Sequence, residues 1–191
     1  MKKKAPTKLR AIDRGLTIAY IGDGKGKTTA AIGLATRAVG YGWKVLYFQF
    51  FKSEQWPSGE REALRKLGVD VMVRGEGFVG ILGDQKDRAQ HEAAAAKALS
   101  EARSLILSGK YQLVVLDESI SCLEQKLYPV DALVRLLDDR SVDPVGRKVH
   151  LVMTGHESFA PILKHCDTVT EMKMKKHQYY SGIIATKGID F

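Results

Sequence analysis

Two short stretches carry residue types that could do chemistry. The first is Gly22-Asp23-Gly24-Lys25-Gly26-Lys27-Thr28-Thr29. A glycine-rich turn lets backbone N–H groups converge on a phosphate, and a helix start behind it adds unpaired donors and partial positive charge. Lys27 would place a point charge on the phosphates, and the hydroxyl of Thr28 or Thr29 would supply a ligand to Mg²⁺. The second stretch is Leu113-Val114-Val115-Leu116-Asp117-Glu118, an apolar run ending in two acids. An acid at the end of a buried strand is the partner such a loop needs, because it brings a carboxylate beside the metal that the loop hydroxyl holds. One of Asp117 and Glu118 would take that place, on the metal or its water shell, with the other structural; the plainer reading is a helix-capping acid or a surface charge.

The first stretch departs from the usual spacing G-x-x-x-x-G-K-[ST]. The first glycine belongs five positions before Gly26, where this chain has Ile21; the glycine comes one later, at Gly22. The loop is one residue short, so the phosphates cannot be wrapped in the ordinary way. The plain alternative is a glycine-rich turn with no ligand, but strand, loop, lysine, paired threonines and helix fall in the required order.

The elements that must position these residues are legible on either side. Leu16–Ile21 reads as a buried strand and Ala30–Val39 as a helix that stops at Gly40-Tyr41-Gly42. Trp43–Phe50 is a second strand, Glu60–Leu67 a short helix and Val69–Val73 a third strand. Residues Arg74–Gly83 hold four glycines and Phe78, a loop that could be a linker or a cover for an apolar substrate. A long alanine-rich helix follows from a cap at Asp84 to Leu107, then the strand ending in Asp117-Glu118, a helix over Val130–Asp138 and a strand over Lys148–Thr154. Ser158–His165 reads as helix, and Val169–Met174 and Gly182–Lys187 as late strands. Strands alternating with helices imply one α/β domain with a mostly parallel sheet and helices on both faces.

Composition narrows the class. The chain's 191 residues suit one sizeable domain, residues 15–191, behind a basic and flexible arm at 1–14. No apolar run approaches the roughly 18 residues needed to span a membrane, and no apolar core follows Met1-Lys2-Lys3-Lys4, which points to the cytoplasm. The net charge of +8 suits anionic ligands; no nucleic-acid-binding motif accompanies it. Cys122 and Cys166 form no metal-type spacing and read as reduced, core or near-core residues. The five histidines are scattered; His156, at the end of a strand on the ligand side, is the one to watch.

Taken together, these stretches resemble the P-loop type of ATP:cob(I)alamin (corrinoid) adenosyltransferase. The resemblance rests on Gly22–Ala31, Ala35–Gly40, Gln49-Phe50-Phe51-Lys52, Trp56–Glu60, Gly77-Phe78, Val115–Glu118, Thr154-Gly155, Asp167-Thr168-Val169 and Gly188–Phe191, and so covers nearly everything after residue 14. The shortened loop is itself a mark of that family. The resemblance implies a RecA-like P-loop fold and transfer of the 5′-deoxyadenosyl group of ATP to the cobalt of a reduced corrinoid, with triphosphate leaving and adenosylcobalamin forming. It implies ATP as co-substrate and Mg²⁺ (or Mn²⁺) as cofactor, the metal on Thr28 and Glu118 with Asp117 beside them. It implies Gly22, Asp23, Gly24, Lys25, Gly26, Lys27, Thr28, Thr29 and Arg37 at the nucleotide, with Lys27, Thr28 and Glu118 carrying catalysis. Phe78 would lie against the corrin and help keep the lower axial ligand off cobalt. A reduced flavoprotein as electron donor and a homodimer are implied as partners. Two positions depart from the family: Gly80 stands where a tryptophan is usual, and His156 where Thr-Gly is followed by arginine. The competing readings are another P-loop NTPase or kinase, and a non-catalytic homologue that binds nucleotide or corrinoid.

Overall fold

The computed structural model describes residues 8–56, 58–77, 79–80 and 85–191. Phe78 and Asp84, both singled out above, lie outside the described residues. Six strands form one sheet in the order β3-β2-β4-β5-β1-β6, and every pairing is parallel. The strands are β1 (Thr17–Ile21), β2 (Val45–Gln49), β3 (Asp70–Val73), β4 (Leu113–Asp117), β5 (His150–Thr154) and β6 (Thr168–Glu171). All five residues of β2 and of β4 are buried, as expected of central strands covered on both faces.

Successive strand residues face opposite ways, which sorts the core into two layers. On one face α1 (Lys27–Gly40) and α2 (Gly59–Lys66) pack Ala31, Ala35, Ala38 and Leu64 against Tyr47, Val115 and Val152. The alanine stripe has no bulk, so α1 lies close to the sheet and carries the loop before it to the sheet's edge. On the other face α3 (Arg88–Leu107), α4 (Ser119–Glu124), α5 (Val130–Val142) and α6 (Ala160–Leu163) cover Leu46, Phe48, Val114, Leu116, Leu151 and Met153. Helices on both faces of a parallel sheet follow the pattern expected from the sequence.

Four local expectations change. The long helix starts at Arg88, and its cap is Asp87, whose side chain accepts from the Gln90 N–H while the Gln90 side chain accepts from the Asp87 N–H. The helix α4 went unread: Ser119, Ile120, Ser121, Cys122 and Leu123 are all buried, leaving no polar face to show a helical period. Residues 182–187 form no strand. Ile183 and Ile184 have strand-type side chains, but they stand exposed after a short 3₁₀ turn at Gln178–Ser181 and pair with no strand among the described residues. The helix expected over 158–165 is reduced to the four residues of α6.

Candidate active site

Because every strand is parallel, the C-terminal ends of β1, β2, β4 and β5 share one edge of the sheet, where ligands bind in open α/β folds. The glycine-rich loop leaves β1 there. Gly22 has φ +106° and Gly26 φ +114°, a left-handed backbone that L side chains rarely adopt. Packing adds a second reason for glycine. The Gly24 N–H donates to the Met172 carbonyl at 2.8 Å, and a Cβ at Gly22 or Gly24 would collide with the Met172 backbone. The Gly22 N–H donates to the His156 carbonyl at 2.8 Å. Asp23 holds the same neighbouring segment, its carboxylate accepting from the Met174 N–H at 3.1 Å.

The shortened loop folds inward around Lys27. Its ammonium donates to the carbonyls of Gly22 (2.6 Å) and Gly24 (2.9 Å), and the residue is only 7% exposed. Three donors are available on an ammonium, so one remains for an anion. Burial lowers the Lys27 pKa, opposed by the nearby carboxylates of Glu118, Glu124, Asp23 and Asp117. Lys25 points outward and pairs with Asp190 of the tail.

The acids arrive from β4. Asp117 is fully buried. Its Oδ1 accepts from the Thr28 hydroxyl at 3.1 Å and from the Thr154 hydroxyl at 2.9 Å, and its Oδ2 from the Gln49 amide at 3.3 Å. Of the two loop threonines, Thr28 is the one joined to the acid. Glu118 follows with φ 65° and ψ 14°, a left-handed conformation that costs a non-glycine residue about 1–2 kcal/mol. It is held there by its N–H, which donates to Thr154 Oγ1 at 2.7 Å. The turn aims the Glu118 side chain into the cleft instead of along the strand. Burial, and then the adjacent Asp117 charge, raises the Glu118 pKa, against Ser121, His156 and Lys27.

A cleft of about 520 Å³ collects these groups. Lys25–Thr29, Glu118 and His156 line it, together with Lys52, Glu60 and the tail residues Gly188–Phe191. Lys52 and Glu60 form a half-buried ion pair at 2.9 Å. His156 rests against Glu124, its Nδ1 3.5 Å from the carboxylate, while the same carboxylate accepts from the His156 N–H at 2.6 Å. That contact, and more weakly the Glu118 charge, raises the His156 pKa above its usual 6.5. A second cleft, of about 580 Å³, opens beside the first, between the Ser53–Gln55 loop, the end of β3 at Val73–Glu76 and α3. The loop after β2 walls both: Lys52 faces the first and Ser53 the second.

The structure thus brings Gly22–Thr29, Asp117 and Glu118 together. Arg37 lies elsewhere. It is exposed in the last turn of α1, about 15 Å along the helix from Lys27 at 1.5 Å per residue, and does not line the cleft. Gly80 has φ +69°, a backbone that a tryptophan would adopt only with strain. Arg61 was not singled out from the sequence; Gln49, Thr154 and Asp190 lay in stretches that carried the resemblance, but none was given a role of its own. Thr154 had a usable signal, a hydroxyl at the end of a buried strand beside the acid-bearing one.

Residues 13–191 match the model of the family described as ATP:corrinoid adenosyltransferase BtuR/CobO/CobP. The chain belongs to that family. Among its relatives, the corrinoid adenosyltransferase of Escherichia coli (strain K12) is 36% identical over 179 residues, covering 94% of this chain and 87% of the relative. The corrinoid adenosyltransferase CobA of Salmonella typhimurium is 34% identical over the same shares of each chain, and that of Pseudomonas aeruginosa 35% identical over 94% and 85%. The chain is accordingly an enzyme of the corrinoid adenosyltransferase family, whose reaction is ATP-dependent adenosyl transfer to a corrinoid cobalt to form adenosylcobalamin. No described helix is long and apolar enough to cross a membrane.

Proposed function

We propose that the cleft over Gly22–Thr29 holds ATP with its triphosphate as leaving group, and that Lys27, Thr28 and Glu118 carry the catalytic work. The observation behind this is the convergence of Lys27, Thr28 and Glu118 on one cleft, with the buried Asp117 bonded to the Thr28 hydroxyl behind them. The reduced cobalt is itself the nucleophile: its electron pair forms the Co–C5′ bond, the C5′–O bond breaks, and triphosphate departs with the bonding pair. No protein base is required, so the chain's contribution is orientation and charge. Lys27, with its remaining donor, and the loop N–H groups not bound to protein stabilise charge growing on the triphosphate. Lys25 joins them once released from Asp190.

The donor set suits a hard divalent cation. Asp117 is fully buried and Glu118 partly so; burial, and then the adjacent Asp117 charge, raises the Glu118 pKa, a cost that a cation would offset. Glu118 and the Thr28 hydroxyl are the oxygen donors that would hold Mg²⁺ (or Mn²⁺), with several sites left for phosphate and water. Asp117, with three protein donors already on its carboxylate, acts chiefly by aiming Thr28. When bound, the metal neutralises developing charge on the leaving phosphates. His156, in the place of the family's arginine, supplies a cation when protonated.

The corrinoid takes the neighbouring side, over the Ser53–Gln55 loop and the glycine-rich segment after β3, with Phe78 against the ring. The chain's architecture is read as RecA-like, its setting as cytoplasmic, its working form as a homodimer and its electron donor as a reduced flavoprotein. Arg37 is retained as a nucleotide contact only if a partner subunit or a closing movement brings the nucleotide to it.

The deciding experiment mixes the protein anaerobically with chemically reduced cobalamin, ATP and Mg²⁺. The visible spectrum of adenosylcobalamin and one triphosphate per cobalamin are expected. ADP and phosphate as the products would overturn the reading.

A further inference from the structure

Arg61 is 4% exposed on a helix, Gly-Glu-Arg-Glu-Ala-Leu-Arg-Lys, that carries four other charged side chains. Burying a guanidinium is costly unless its N–H groups are met. Its Nη2 is buried with no partner among the described residues; the groups that Nε and Nη1 meet lie in two places. Its Nε donates to Gln49 Oε1 at 2.7 Å. Its Nη1 lies 3.0 Å from the Ser53 carbonyl, 3.2 Å from that of Trp56 and 3.4 Å from that of Glu54. No carboxylate lies within ion-pair distance of it among the described residues.

The contact with Gln49 fixes an orientation. Arginine can only donate, so the Gln49 atom facing it must be the oxygen. The Gln49 NH₂ group therefore faces the other way, toward Asp117 Oδ2 at 3.3 Å. Guanidinium and carboxylate select the same amide orientation, so Gln49 is clamped between them; without Arg61 the Gln49 oxygen would lose its donor and the amide would be free to shift away from Asp117. The Asp117 carboxylate is what aims the Thr28 hydroxyl. One buried guanidinium thus sets a chain running Arg61–Gln49–Asp117–Thr28, and through its Nη1 it fixes the loop that walls both clefts.

We infer that Arg61 is a positioning residue for the transfer reaction, holding the metal-side carboxylate and the shared wall between nucleotide and corrinoid in one register. It lines neither cleft. This inference rests on the metal-and-ATP reading of the cleft.

Two substitutions separate its two contacts. Arg61→Lys keeps a cation but cannot reach both Gln49 and the loop carbonyls. Gln49→Met removes the relay at similar volume and leaves the loop contacts of Arg61. Free Mn²⁺ is counted by electron paramagnetic resonance during titration of the protein with ATP present, and the Mn²⁺ taken up by the same ATP alone is subtracted, so retention by the protein is read apart from turnover. Loss of such an outer partner typically weakens metal affinity or activity about 10- to 100-fold. Both variants are expected to weaken Mn²⁺ retention at least tenfold, and Arg61→Lys alone to raise the KM for the corrinoid as well. Unchanged Mn²⁺ retention in folded Gln49→Met would overturn the relay. If Arg61→Lys does not fold, Gln49→Met still decides. A wild-type protein that retains no Mn²⁺ with ATP would instead overturn the underlying reading of the cleft.

Discussion

Replacing Thr154 by valine tests how the two adjacent acids are held apart in role. The side chain is fully buried and its hydroxyl makes two contacts, donating to Asp117 Oδ1 at 2.9 Å and accepting from the Glu118 N–H at 2.7 Å. Valine matches its shape but neither bond. A hydrogen bond to a charged group contributes about 1.5–3 kcal/mol, and a buried N–H left without a partner costs about 1–3 kcal/mol. Some of this returns if Glu118 relaxes from its left-handed backbone, which costs about 1–2 kcal/mol. The net loss is about 3 kcal/mol. For a domain of this size 1 kcal/mol moves Tm by about 2–4 °C, so Thr154→Val should melt about 6–12 °C lower. The relaxed Glu118 would also leave the cleft, so kcat should fall more than tenfold at saturating Mg²⁺. Thr154→Ser keeps the hydroxyl and should stay within about 1.5 kcal/mol of wild type. Calorimetry and steady-state kinetics on both variants provide the check. A Thr154→Val protein with Tm within 2 °C of wild type and normal kcat would refute the hydrogen-bond reasoning for both acids.

Lys27→Ala should abolish adenosyl transfer while leaving circular dichroism unchanged, since the ammonium's contacts are to its own loop; ordinary turnover would remove Lys27 from the phosphate role. Glu118→Gln should lower kcat sharply and yet raise Tm at pH 7. A carboxyl whose pKa is raised by folding favours the native state most below its unfolded pKa and penalises it as pH rises through the folded value. The Tm gain should therefore shrink as pH falls toward 4.5, and a gain constant with pH would contradict the burial argument. His156 is protonated below a pKa raised above 6.5 by Glu124, so its help to the phosphates should fade as pH rises through that value. His156→Arg should flatten that limb of the kcat/KM profile, and an unchanged profile would exclude His156.

Much of the fold was legible because its signals are local. The apolar run before Gly22, the glycine stops and the acids after Leu116 each mark an element boundary by chemistry that does not depend on distant partners. The departures share a different cause. Helix α4 is buried all round, so its composition carries no period. Ile183 and Ile184 look like strand residues, but β-branched composition alone forms no strand without a pairing partner, and they pair with none among the described residues. The left-handed turn at Glu118 has no glycine to announce it; a threonine hydroxyl from β5, 36 residues later, holds it. Arg61 is hidden most completely, because an arginine among glutamates and lysines on a short helix reads as a solvated surface charge. Only the sheet that sets Gln49 behind Asp117 reveals that it points inward.

The sheet order has a consequence for how the molecule is made. The strand that launches the phosphate loop comes first in the chain, yet its two neighbours are β5 and β6. The N–H of Leu16, just before β1, donates to His150, 134 residues away. Closing so large a loop is entropically expensive, and such parallel pairings form slowly. During synthesis β2, β3 and β4 can begin to associate while β1 still lacks both flanking strands. Nucleotide affinity should therefore be among the last properties the nascent chain acquires. ATP, by binding only the finished arrangement, would draw the folding equilibrium toward it.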